Sequence, residues 1–191
     1  MRFFSVGLTL LAATSSARAI SASDIISSLN AITLASTTAT DALHALTKNP
    51  TTANIQAALA ASHDLRDFYN VLDEAITSDD IPVDPTADQA TINTIGQAAK
   101  EAGSLATPYG IALADAAIGP LKSAGKFREA CDDGIDIGVV LIVMFTQIDI
   151  RYPSSLALDA VAAVADFAKV PLTRPLAATC FTPGGLPPFK L

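Results

Sequence analysis

The sequence predicts an all-α protein, a bundle of five or six helices with one disulfide and a Pro-rich C-terminal tail. Three observations predict it. Apolar residues recur at alternating three- and four-residue spacings over long stretches, which keeps them on one face of an α-helix. Half of the 191 residues are apolar and there is no Trp, a composition rich in Ala that suits packed helices better than sheets. The periodic runs are separated by short Pro, Gly and Asp connections that stop helices.

The first segment reads as targeting rather than fold. Arg2 is a positive n-region, Phe3 to Ala13 an apolar h-region and Ala17-Arg18-Ala19 a small-x-small cleavage site. Residues 1–19 are therefore expected to be a signal peptide, 20–175 the helical bundle and 176–191 an extended tail. Loss of Arg2 and Arg18 takes the formal charge from −7 to −9. That acidity makes DNA, RNA and anionic membrane surfaces poor partners, because phosphate binding needs concentrated Lys and Arg. It also suits solubility outside the cell. About 170 mature residues suffice for one domain with a real core.

Each element follows from its own residues. Helix 1 is expected from Ser23 or Asp24 to about Thr47, with Ser23 as N-cap and Asp24 complementing the dipole; Lys48-Asn49-Pro50 stops it. Its inward stripe is Ile25, Leu29, Ile32, Ser36, Ala39, Leu43 and Leu46. Helix 2 starts near Thr52 and carries Ile55, Ala58, Leu59, Ser62, Leu65, Phe68, Tyr69, Leu72 and Ile76. SDDIPVDPT is a connection. Asp84-Pro85 then reads as N-cap and N1 of helix 3, which runs to about Gly103 with Ala90 or Thr91, Ile95, Ala98, Ala99 and Ala102 inward. Thr107-Pro108-Tyr109-Gly110 breaks the pattern before a short helix across Ile111 to Ile118, and Gly119-Pro120 restarts the chain into Leu121 to Cys131.

Ile135 to Ile150 mixes strand-like β-branched residues with a helix-like length. A lone strand among helices has no partner for its backbone, so the segment is expected to be the central helix, apolar on nearly all sides. It is shorter than the roughly 20 apolar residues a membrane span needs. Tyr152-Pro153 ends it, and Ser154 or Ser155 caps a last helix from Leu156 to about Val170, with Leu158, Val161, Ala165 and Ala168 inward. The tail from Pro171 holds five prolines and the pair Gly184-Gly185. Cys131 and Cys180 are the only cysteines; in a secreted chain they are expected to pair and to pin the tail. Closing a loop of about 50 residues is worth roughly 4 kcal/mol on the chain-entropy estimate.

No reaction is legible. His44 and His63 lie on amphipathic helices, His63 beside Asp64, and no G-x-S-x-G supplies a nucleophile. Asp132, Asp133, Gly134 and Asp136 form an acidic cluster that lacks the further oxygen ligands of a calcium loop, and they read as a polar turn before the apolar helix. No cofactor or metal site is expected, and the chain is not expected to be an enzyme. N-x-[ST] acceptors are absent after the signal segment, whereas Thr37, Thr38, Thr40, Thr47, Thr51 and Thr52 offer hydroxyls for O-linked sugar.

What the residues do pose is a question about space. The inward stripes thin at one level: Ser36 and Ala39 on helix 1, Ala58 and Ser62 on helix 2, Ala98, Ala99 and Ala102 on helix 3. Either the backbones close up there, or the bundle is hollow and holds an acyl chain. In the second case Ile32, Leu43, Leu59, Leu65, Phe68, Leu72 and Ile95 line the cavity beside Ala39, with Ser36 or Ser62 offering a hydroxyl to a polar head.

The cleavable signal, ISASDIISSLNAITLASTTATDALHAL with its regular Ile/Leu spacing and Ser/Thr-rich face, and a second amphipathic helix ending LDEAIT together resemble the fungal hydrophobic surface-binding protein A and cell-wall galactomannoprotein group over residues 20 to 105. The resemblance implies a small secreted or cell-wall-associated helical bundle, without catalytic residues, that binds lipids or fatty acids or adsorbs to hydrophobic surfaces. The rival expectation is a secreted effector or inhibitor that works on a protein partner through its outer surface.

Overall fold

A computed structural model describes residues 20–77 and 87–173, with side-chain surroundings up to Phe167. The expected signal segment, the Asp84-Pro85 pair, Cys180 and the expected tail lie outside the described residues. Within them are six α-helices and one π-helical segment, and no strand. α1 is Ala22–Lys48, α2 Thr52–Thr77, α3 Gln89–Ser104, α4 Ala106–Ala116, α5 Phe127–Arg151 and α6 Ser155–Thr173, with the π-helical segment Ala117–Leu121 between α4 and α5. The protein is an all-α bundle. α1 packs against α2, α3 and α4, while α2 packs on α5, and α6 packs on α3, α4 and α5.

α1 begins two residues earlier than expected. Ser21, not Ser23, is the N-cap: its Oγ accepts from the Asp24 N–H and the Asp24 carboxylate accepts from the Ser21 N–H, each at 3.2 Å. A capping box needs its acid three residues after the cap, and Asp24 selects Ser21 on that rule. The whole expected stripe of α1, Ser36 included, is buried. Its many threonines are tolerated because Thr33, Thr37, Thr38, Thr40 and Thr47 each donate to the carbonyl four residues back. α2 buries its expected face from Ala58 to Ile76. α3 starts at Gln89, later than the expected Asp84-Pro85 start: Asp88, with extended backbone, is the N-cap, and its carboxylate accepts from the Thr91 N–H at 2.8 Å.

Pro108 does not break the chain. It sits in the first turn of α4, where a missing N–H costs nothing. α4, expected as a short helix across Ile111 to Ile118, runs from Ala106 to Ala116 and is heavily enclosed, with Tyr109, Leu113 and five small residues buried among its eleven. The stretch from Leu121 to Cys131 is not one helix: Gly125 takes φ 72°, a left-handed turn that ends the preceding helix.

α5 corrects two expectations. The helix runs unbroken through Asp132-Asp133-Gly134, so the expected polar turn is one helical turn of α5 with Asp133 facing inward. The helix is also not apolar-buried all round. Ile137, Leu141, Met144, Phe145 and Ile148 face the core, whereas Val139, Ile142, Val143 and Ile150 are 41–65% exposed. α6 is capped by Ser154, whose Oγ accepts from the Ala157 N–H at 3.0 Å. Its inward face is Ala157, Ala160, Val164 and Phe167; Leu158 and Ala165, expected inward, are exposed, and Ala168 lies beyond the described side chains. The face is chosen by fit. Ala160 lies against Gly103, and the Phe167 ring sits over Gly110 of α4 and Gly138 of α5.

Candidate functional site

Two features stand out against this core, a buried polar layer and an exposed apolar face. The polar layer begins where the stripes of α1 and α2 thin. Tyr69 and Tyr109 are each 1% exposed, and their hydroxyls point to that level. Tyr69 lies beside Ser36, and Tyr109 beside Ser62. The small residues thus face the ends of two tyrosines. Burial pushes the Tyr69 hydroxyl up to about 12, an effect the Ser36 hydroxyl partly offsets. Burial raises Tyr109 further, so both rings stay neutral. Proximity here is not a formed bond, since Ser36 Oγ, Ser62 Oγ and Tyr109 Oη have no hydrogen-bond partner among the described residues.

Beyond Tyr109 the layer becomes ionic. Asp133 of α5 is 1% exposed. Its Oδ1 accepts from Arg66 Nη1 at 2.7 Å, and its Oδ2 lies 2.9 Å from His63 Nε2. The second approach is a close contact without an aligned N–H···O bond, because Oδ2 has no hydrogen-bond partner. Glu129 reaches His63 at 3.8 Å and accepts from Lys126 at 2.8 Å. Desolvation raises the Asp133 carboxyl; His63 and Arg66 pull it down, Glu129 and Asp136 push it up, and burial wins. This cluster ties α2 to α5.

The expected site residues fall into one place. Ile32, Ser36, Ala39, Leu43, Leu59, Ser62, Leu65, Phe68, Leu72 and Ile95 are all buried, between 0% and 8% exposed, and the eight apolar ones belong to one continuous core. On α3, Gly103 approaches α6 so closely that an added Cβ would lie 3.2 Å from the Ala160 Cα and carbonyl oxygen. Backbones close up at that seam. His44 is exposed, and His63 faces Asp133 rather than its neighbour Asp64. Sequence reasoning missed Arg66, Tyr109 and Glu129 as members of the polar layer. The available signal was spacing: His63 and Arg66 are three apart, Glu129 and Asp133 four apart, and each pair shares a helix face.

The apolar face lies on the far side of α5. Val139, Ile142, Val143 and Ile150, with Thr146 half-buried between them and Ile135 half-buried one turn before them, form one stripe opposite the core-facing residues. Its flanking charges are Asp132, Asp136 and Asp149, and from 135 to 150 α5 exposes no Arg or aromatic side chain. Among the described residues no helix is long and apolar enough to cross a membrane. No family model, curated protein or solved structure matches this chain.

Proposed function

We propose that the chain is a secreted, non-enzymatic protein that binds lipids or hydrophobic surfaces, and that it does so through the aliphatic face of α5. The observation that carries this reading is the stripe Val139, Ile142, Val143 and Ile150, left 41–65% exposed on a helix whose other face is fully used by the core. Scattered apolar residues need no explanation, but a contiguous row does. Protein-binding hot spots are enriched in Trp, Tyr and Arg, which this row lacks, so its chemistry favours a neutral apolar phase over a protein partner. The acidic flanks disfavour anionic membranes. Covering the exposed half of four aliphatic side chains is worth on the order of 4 kcal/mol in total, enough for reversible adsorption at an interface. The tight α3–α6 seam and the tyrosine ends opposite Ser36 and Ser62 favour this outer face over an acyl chain inside the bundle.

The test is adsorption to an alkyl-coated quartz crystal sensor. The unmodified protein is expected to adsorb, and Val139→Asp with Ile142→Asp to reduce adsorption about tenfold or more. Leu34→Asp, at a 62% exposed position on α1, is expected to change nothing. Equal adsorption by all three proteins, or by none, would reject the reading.

A further inference from the structure

We propose that the polar layer is a binding site for an ordered internal water, held by Ser62 of α2, Tyr109 of α4 and Asp133 of α5 and joining the three helices. The site is independent of the surface-binding function proposed above. Its first support is the behaviour of the hydroxyls. A buried helical serine has an acceptor at hand in the carbonyl four residues back, and Ser28, 4% exposed, uses it, donating to the Asp24 carbonyl at 2.8 Å. Ser62, 2% exposed, does not: its Oγ bonds to no atom among the described residues. Tyr109 Oη and Asp133 Oδ2 share that state, each on a residue 1% exposed. Ser62 and Asp133 both lie close enough to act on the Tyr109 hydroxyl, so the three unpaired atoms belong to one place. A buried polar atom left without a partner costs more stability than its bond would have gained, and polar groups that neighbour one another without bonding are commonly bridged by water.

Position and chemistry agree. α2 packs chiefly on α1 and α5, and α4 on α1 and α6, so the three atoms meet between helix pairs rather than within a tight seam. Ser62 and Ala58 are the small members of the α2 stripe at this level. The neutral Tyr109 hydroxyl brings a proton to donate, the Asp133 carboxylate only accepts, and the Ser62 hydroxyl does either. A water accepts from Tyr109 Oη, donates to Asp133 Oδ2 and turns its remaining proton or lone pair to Ser62 Oγ, which matches the roughly three bonds an internal water makes. Arg66 already occupies Oδ1 at 2.7 Å, and His63 Nε2, 2.9 Å from Oδ2, makes no aligned bond to it. The water thus supplies the bond that this oxygen lacks. Water fits better than a larger polar molecule, because all three anchors are sealed from the surface.

The experiment is water-oxygen magnetic relaxation dispersion on the full chain, which counts water molecules held inside for longer than the protein takes to tumble. Tyr109→Phe with Ser62→Ala is expected to hold one such water fewer than the parent, and Ser28→Ala, whose hydroxyl is already paired with backbone, to hold as many. The thermal midpoint of Tyr109→Phe alone, which keeps the ring and its packing, is the second readout. A hydroxyl bonded to water makes that midpoint fall by several degrees, whereas an unpaired hydroxyl leaves it unchanged or raises it. Equal water counts in the parent and the double variant would overturn the proposal, and so would a midpoint that does not fall. A lower midpoint with equal counts would assign the Tyr109 hydroxyl a direct bond to Asp133 or Ser62 and reject the water.

Discussion

Asp133 holds a carboxylate where bulk water does not reach it, and its two partners do not fully compensate. Its pKa is raised above the ordinary 3.8, so between 3.8 and the native value the folded state binds more protons than the unfolded one. Acidification through that window therefore adds stability at this residue, and ionisation above it removes stability. Asn keeps the shape without the charge. Arg66 and His63, 29% and 38% exposed, can rehydrate when the carboxylate is gone, so the large cost of orphaning a buried partner does not arise. We expect Asp133→Asn to be at least as stable as the parent at neutral pH, with the difference shrinking as pH falls towards 4, read from urea midpoints of both proteins across pH. An Asn variant several kcal/mol weaker at pH 7 would show that the ion pairs outweigh desolvation. The sequence displayed both partners, His63 on a helix and Asp133 in an acidic cluster, but not the pairing. Arg66 and Asp133 are 67 residues apart, and the contact exists only because α5 is helical straight through Gly134.

Among the elements, the α3–α6 seam shows what small residues do in this bundle. An added Cβ at Gly103 meets the Ala160 Cα and carbonyl oxygen at 3.2 Å, and backbone atoms cannot rotate aside. Gly103→Val should therefore force the two helices apart and lower stability by about 1–3 kcal/mol, measurable as a drop in thermal midpoint; an unchanged midpoint would mean that the seam has room. The helix periods of α1, α2 and α3 were legible, down to nearly every buried position, because an apolar stripe at helical spacing states its own inward face. The face of α6 was not. Ala-rich helices present similar stripes on several sides, and the choice of Ala157, Ala160, Val164 and Phe167 over Leu158 and Ala165 was made by glycines on other helices. Likewise, the apolar content of Ile135 to Ile150 announced burial, but half of it faces outward, since hydrophobicity alone does not say whether a neighbour exists to cover it.

For the whole molecule, Cys131 on α5 is 7% exposed, and its expected partner lies in the tail. Free-thiol titration of the native protein is expected to find none, and reduction to lower stability by about 4 kcal/mol if the loop of about 50 residues behaves as the entropy model requires; two reactive thiols would refute the pairing. The packing order has a consequence of a different kind. α2 is matched with α5 and α3 with α6, and the ion pairs that mark these matches span 67 and 59 residues. The chain cannot assemble from neighbouring hairpins alone: beyond the α1–α2 and α5–α6 pairs, long loops must close before those contacts reward them. This bundle should consequently fold more slowly than a simple up-and-down helical protein of its length, and during that interval the apolar row on α5 has neither core nor partner to steady it.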